Sequence, residues 1–517
     1  MKRGRKTVRL AVLGVAALIA LVASPVVRAA EPQKETIHDE WQAFYLQGQK
    51  IGYAHIEIVR DSTADETVYV TTRKEEVSLS RMGTTITITQ TSKVTEDEEG
   101  KLISFERKLS QGPLTQTSEG HVEGGKLHMK TGTGPFKKQE TMPVPEGLCP
   151  AALDRYTQKK GYEPGTQYTV KFFEPSLADA KSEPRITVKV GPEEAKEVFE
   201  VTKWLHRVEM ETNILPGMQT THWVDDDGDV WAGRVPLAGA MVIKMRRVTR
   251  EVALQPADAP ELMLSVAAEP DKSIPNAYGL HKVVLLVKVR QENNLAPEFA
   301  AGKWQSVKKT DKGTQIVLEK SEASPKLSYS RPYSGEKHAK LLKATPWLEV
   351  NHADIQKMAE EAVANEKDAL RAARRIEDYV STEIAEKTLS MGFATALETA
   401  RQKAGDCTEH AVLTAALARA AGIPSRVVTG MAYSQHTGDY ENGAFFYHMW
   451  TEVFVGEWLP IDAALGSHSA THLALSKSDL DRSADLITAS TPIMKVLGAI
   501  DIHVISIQEE PNQDESD

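Results

Sequence analysis

The residues Gly405-Asp406-Cys407-Thr408-Glu409-His410 bring a thiol to the start of a helix. Asp406 is a suitable N-cap, and Glu409 lies three residues on as its capping-box partner. The apolar run Ala411, Val412, Leu413, Ala415, Ala416, Leu417 and Ala420 carries the helix to a natural stop at Gly422. Cys407 is therefore expected at the first helical position. There the partial positive charge of the helix end favours thiolate over thiol, and free backbone N–H groups can stabilise an oxyanion. Cys407 is a candidate nucleophile on these grounds. Taken alone, it also reads as a small buried side chain at a helix start.

A base and its orienting group follow downstream. Gly422-Ile423-Pro424 ends the helix, and Ser425-Arg426-Val427-Val428-Thr429-Gly430 opens a strand. After a polar stretch at 431–444, expected as a loop, Phe445–Val453 reads as a strand carrying His448. Phe454-Val455-Gly456 reads as a turn, and Glu457–Asp462 as the returning strand. A three-residue hairpin loop is best closed by a glycine at positive φ, which sets Val453 opposite Glu457 and His448 opposite Asp462. Side chains so opposed are close enough for a carboxylate to hold an imidazole N–H. The set then supports acyl chemistry: Cys407 attacks a carbonyl, His448 moves the proton, and Asp462 fixes the imidazole tautomer. Singly, His448 is an ordinary half-buried strand histidine and Asp462 an ordinary turn carboxylate. The chemistry rests on the combination.

The rest of the chain must position these groups. A length of 517 residues implies two to four domains. The N-terminus carries Lys2, Arg3, Arg5, Lys6 and Arg9, then an uncharged apolar run from Leu10 to Ala23, then Val27-Arg28-Ala29. This is the pattern of an export signal cut after Ala29, with an uncleaved anchor as the lesser alternative. No later apolar run is long enough to span a bilayer. Cleavage would remove six basic residues and no acidic one, taking the formal net charge from −10 to −16. So acidic a chain argues against nucleic acid as a partner. Two cysteines remain, Cys149 and Cys407. They are expected to stay unpaired, because a nucleophilic thiol must be free.

Residues 30–258 read as one antiparallel β domain with a helix near Ala151–Lys160. Its turns, Glu98-Glu99-Gly100-Lys101, Glu123-Gly124-Gly125-Lys126 and Asp226-Asp227-Gly228-Asp229, place glycine where hairpins need positive φ. Asp225, Asp227 and Asp229 fail as a calcium loop, since Val230 and Pro236 stand where glycine and glutamate are required. A second β region and an extended linker occupy 259–345, with Val283–Val289 and Thr314–Leu318 as strands. The catalytic domain is expected over 346–507, with helices from His352, a break at Leu389–Gly392, a short helix over Ala394–Lys403 and a closing strand at Ile500–Ile507. An acidic tail at 508–517 is expected to be disordered. The fold class is α+β.

Four blocks carry a family likeness. Gly405–Ala411, Ala420–Gly430, His448–Val453 and Trp458–Asp462 resemble the bacterial transglutaminase-like superfamily over about residues 350–505. The resemblance implies a papain-like core, with the nucleophile on a helix N-terminus against an antiparallel sheet bearing the base and the carboxylate. By that likeness Cys407, His448 and Asp462 are nucleophile, base and orienter, and Ala470–Ser476 is structural. It implies thioester chemistry on amide bonds of a protein or peptide, resolved by water or by an amine; no cofactor is expected, and with no calcium-site signal, no CxxC motif and no second cysteine at ligand spacing, no metal is expected either. The sequence does not choose between hydrolase and transferase, and it leaves the oligomeric state open. The rival is an exported binding or assembly module with an idle triad.

Overall fold

The computed structural model describes residues 33–509 except 64–65, 82–83, 112–113, 134–135, 181, 199–200, 215–216, 239–240, 262–266, 291–297, 387–393, 436–439, 483–484, 486–491, 494 and 497. The expected export signal, the helix break at 389–392 and the tail beyond Glu509 lie outside the described residues.

A single antiparallel sheet of fourteen strands accounts for the first half of the chain. Eight strands run outward from Lys34–Leu46 to Phe136–Pro143, and six more return from Gln167–Lys171 to Met241–Arg247. The last strand closes on the first, with Phe44 opposite Met245. Strand alternation buries one set of side chains in small separate clusters, such as Phe44, Leu46, Ile51 and Ala54. The expected helix is Pro150–Lys160. Its N-cap, Cys149, offers no side-chain bond. The buried Glu96 carboxylate substitutes, accepting the Ala151 and Ala152 N–H groups at 3.0 and 2.7 Å. Cys149 is a free, fully buried thiol whose pKa is pushed up by burial, so it stays protonated. At the acidic turn, Asp225 Oδ1 accepts the Asp227 and Asp229 N–H groups and Oδ2 accepts Trp231 Nε1–H, so the carboxylate closes its own turn.

The second β region forms a four-stranded sheet from Leu280–Val289, Gln305–Thr310, Gly313–Glu319 and Ile500–Glu509. That last strand, expected to close the catalytic domain, pairs instead with Leu280–Val289. Its buried Ile500, Ile502 and Val504 join Val283, Leu285 and Val287 in one core. The expected linker is no free tether. Tyr329 Oη–H donates to the Phe454 carbonyl at 2.9 Å, and the Arg331 guanidinium donates to the Ala421 carbonyl at 3.2 Å.

The C-terminal part is α+β. Helices Ala353–Val363, Ala369–Glu383 and Ala396–Gln402 pack around the helix Cys407–Ala420. On the other side lies an antiparallel sheet in the order Trp458–Ile461, Ala444–Phe454, Ser425–Ser434, His472–Ser478. The Cys407–Ala420 helix is buried on every side from Thr408 to Arg419, with Val412, Leu413 and Ala415 through Ala418 all at 0% exposure. Such a helix is stable only in the middle of a core. Gly430 lets the sheet close. A Cβ there would lie 2.2 Å from the Leu473 carbonyl oxygen and 2.7 Å from the Trp450 ring. Gly430→Val should therefore cost about 3 kcal/mol, measured as a drop in the urea midpoint at unchanged slope. A midpoint equal to wild type would show that the sheet has slack at this position.

Candidate active site

Cys407 is the first residue of its helix, as expected. Asp406 caps the helix by accepting the Thr408 N–H at 2.8 Å. The capping box is complete, because Glu409 Oε2 accepts the Asp406 N–H at 2.9 Å while its Oε1 accepts the Ala394 N–H at 3.0 Å. Glu409 is fully buried, and burial first, then the Asp406 charge, holds its carboxyl well above the usual range. Gly405 is required by this packing, since a Cβ would meet Glu409 Cβ at 2.4 Å. His410 Nδ1–H donates to the Asp406 carbonyl at 2.7 Å, so this ring serves the helix cap.

His448 and Asp462 meet, but not in the expected register. The hairpin pairs Val453 with Leu459 and Phe454 with Trp458, leaving Val455-Gly456-Glu457 as the loop. Gly456, at φ +99°, takes the middle of that loop because a Cβ there would strike the Leu327 carbonyl at 1.8 Å. Sliding the pairing this way changes which residues face each other but leaves every side chain on its own face. His448 and Asp462 thus become a diagonal pair, with Nε2 and Oδ2 2.7 Å apart. Cys407 is a hydrogen-bond and charge partner of the same ring. With Nε2 engaged by Asp462, Nδ1 is the nitrogen left for the thiol.

The electrostatics favour an ion pair. Burial alone would lower the His448 pKa, but the Asp462 charge and hydrogen bond, then the thiol, hold it up at about 10. Burial would likewise raise the Asp462 carboxyl, yet His448 and His472 hold it well below the usual range. Asp462 Oδ1 accepts the Ala464 and Leu465 N–H groups at 3.0 and 3.2 Å. Its own N–H donates to Glu377 Oε1 at 2.7 Å. An imidazolium beside a thiol at a helix N-terminus draws the thiol toward thiolate.

Two residues at this centre were not legible as functional. His472, expected to be structural, has Nε2 2.9 Å from Asp462 Oδ2. Glu377 sits inside an apolar helix pattern, where only its burial at 3% exposure sets it apart. The nitrogens and oxygens of His448, Asp462 and His472 lie close enough together to surround a cation. The hydrogen bonding opposes that use: His472 Nδ1 accepts the Ser469 N–H at 3.1 Å, so Nε2 carries the proton and points it at the carboxylate. Beside the centre, a cavity of about 420 Å³ has His472, Trp450 and Trp458 in its wall. The second β region adds Lys303, Trp304 and Gln305, so it helps to build the surroundings of the site.

A thiol at a helix N-terminus, facing a sheet-borne imidazole and carboxylate, defines a cysteine-enzyme-like α+β domain. Residues 356–463 match the family model of the Transglutaminase-like superfamily, so this part of the chain is transglutaminase-like. Among solved structures, the chain is similar to a protein from Cytophaga hutchinsonii provisionally named a cysteine protease, at 14% identity over 45% of this chain and 87% of that one, with a TM-score of 0.29. It is also similar to a beta-barrel-like protein of a domain of unknown function from Brucella abortus, at 14% identity over 42% of this chain and 98% of that one, again with a TM-score of 0.29. No curated protein matches.

The raised His448 pKa has a direct consequence. A histidine held up to about 10 stays charged through neutral pH, and its pairing contributes stability that is full below the unfolded value near ~6.5 and is lost progressively as pH rises from there through about 10. Asp462→Asn removes the main support, returning the thiol toward an ordinary value near ~8.5. Iodoacetamide alkylation of Cys407 at pH 6 should then slow by about thirty-fold or more, while at pH 10 the two rates converge. Overlapping wild-type and Asp462→Asn profiles would remove the carboxylate from the electrostatics of the thiol.

Proposed function

We propose that the protein is an exported thiol enzyme that acts on amide bonds of a protein or peptide through a thioester. The observation that carries this reading is the continuous hydrogen-bonded set Cys407, His448 and Asp462, with the thiol on a helix N-terminus. The Cys407 thiolate adds to the amide carbon, and the oxyanion is stabilised by helix N-terminal N–H groups. The C–N bond then breaks as the His448 imidazolium gives its proton to the departing nitrogen. The acyl group remains as a thioester and His448 is neutral. It can now take a proton from water, giving a carboxylic acid, or from a primary amine, giving a new amide. Either step returns the thiol–imidazole pair. The basic and apolar N-terminal pattern supports export. The contacts of His448 with Cys407 and Asp462 weigh against the idle-triad reading.

Peptide amides offered to the protein lacking residues 1–29, with and without an added primary amine, separate the outcomes. Ammonia release alone marks a hydrolase, and amine incorporation marks a transferase. Cys407→Ala should lower either activity by at least a thousand-fold, in line with loss of a covalent nucleophile. Equal turnover by wild type and Cys407→Ala would dismiss the thiol mechanism.

A further inference from the structure

We propose that His472 is a positioning residue of this site: its imidazole, fixed as the Nε2–H tautomer, holds the Asp462 carboxylate in the orientation that supports His448. The proposal rests on the reading of Cys407, His448 and Asp462 as catalytic.

The tautomer follows from the partners. The Ser469 backbone N–H can only donate, and it lies 3.1 Å from His472 Nδ1. That nitrogen must accept, so the ring proton is on Nε2. From there it reaches Asp462 Oδ2 at 2.9 Å, on the same oxygen that His448 engages at 2.7 Å. Oδ1 is held by the Ala464 and Leu465 N–H groups. The carboxylate is thus gripped at both oxygens and cannot turn about its Cβ–Cγ bond without breaking hydrogen bonds in a dry interior.

His472 supplies this donor without adding a charge. Burial lowers its pKa and outweighs the Asp462 hydrogen bond and charge that raise it, and the neighbouring His448 charge adds to the lowering. It therefore stays neutral and leaves the proton to His448. Its ring is fixed in turn by T-shaped contact with Trp450 and tilted stacking on His468, at centroid distances of 5.2 and 4.3 Å. The groups facing the carboxylate come from several elements. They are His448 on Ala444–Phe454, His472 on His472–Ser478, His468 before it, Glu377 with its partner Arg374 on the Ala369–Glu383 helix, and Tyr278 ahead of the first strand of the second β region. Of these, only His448 and His472 donate a side-chain hydrogen bond to Asp462 among the described residues. A histidine that merely filled space would need neither the Ser469 contact nor the aim at Oδ2.

The test is the pH profile of iodoacetamide alkylation at Cys407 in the full chain, read by peptide mass, for wild type, His472→Leu, His472→Met and His472→Gln. Leucine and methionine keep bulk and remove the donor, whereas the glutamine amide can still donate to Asp462. For the leucine and methionine variants the low-pH limb should move up by about one pH unit, about tenfold in rate at a fixed pH on that limb. The high-pH plateau should stay within about threefold, and glutamine should recover most of the displacement. Folded leucine and methionine variants with the wild-type limb would overturn the positioning role while leaving the nucleophile intact. A wild-type limb near ~8.5, or alkylation unchanged by Cys407→Ala at the same peptide, would overturn both readings. If neither apolar variant folds, downfield proton NMR of the wild type decides. A downfield exchangeable imidazole N–H resonance present in wild type and lost in His472→Gln supports the role, and a downfield set unchanged by His472→Gln overturns it.

Discussion

A buried carboxylate is the constraint on which the C-terminal architecture turns. Asp462 is 1% exposed. An unpaired charge in such a place costs several kcal/mol, so the surroundings must supply donors in a fixed geometry. They come from two histidines on two strands and from two backbone N–H groups just beyond Ile461. The Asp462 N–H is held in turn by Glu377, which ties the Ala369–Glu383 helix to the end of the sheet. Satisfying one oxygen pair thereby fixes strand spacing, the path of the chain after the hairpin, and the position of a helix. The imidazole that faces Cys407 inherits that rigidity.

The other half of the centre is set by the helix that begins at Cys407. It is buried from Thr408 to Arg419 between helices and sheet, and the sheet reaches across to it through Thr451 Oγ1–H to the Ala411 carbonyl at 2.8 Å. Only its first turn meets the imidazole. Two acidic residues stand there, which would oppose a thiolate if both were charged. Burial eases the conflict by disfavouring the charged form of Glu409. Its oxygens go on satisfying backbone donors at Ala394 and Asp406, while the net negative charge beside the sulfur is reduced.

Local rules made much of this legible. The capping box, the helix stop at Gly422, the strand on either side of Phe454–Gly456 and the long antiparallel sheet all follow from short-range patterns. The hairpin shows where local rules fail. Gly456 satisfies a turn preference, but the competing fact is a neighbour, the Leu327 carbonyl, that no local pattern contains. The face of His448 and Asp462 survived this error because sliding both strands together preserves side-chain parity. His472 was hidden for a different reason. A histidine at the start of an alternating strand reads as filler until the tertiary fold brings a carboxylate to its Nε2. The partner of Ile500–Glu509 was equally out of reach, because a pairing across about two hundred residues leaves no trace in spacing.

That long-range pairing explains how the modules support the site. Gly313–Glu319 and Ile500–Glu509 flank Leu280–Val289 in one sheet, so everything from 320 to 499 leaves that sheet and returns to it. The transglutaminase-like segment is therefore anchored at both ends to the same small core, and Leu280, Val283, Leu285, Ile502 and Val504 share that core with Met431 and Phe445 of the sheet that bears His448. Anchoring both ends limits the ways in which the helix and the sheet can shift against each other. It also places Trp304 over the returning hairpin strand, where its Nε1–H donates to the Trp458 carbonyl at 2.9 Å, four residues before Asp462. The second β region thus acts on the centre through backbone, by fixing the strand that delivers the carboxylate.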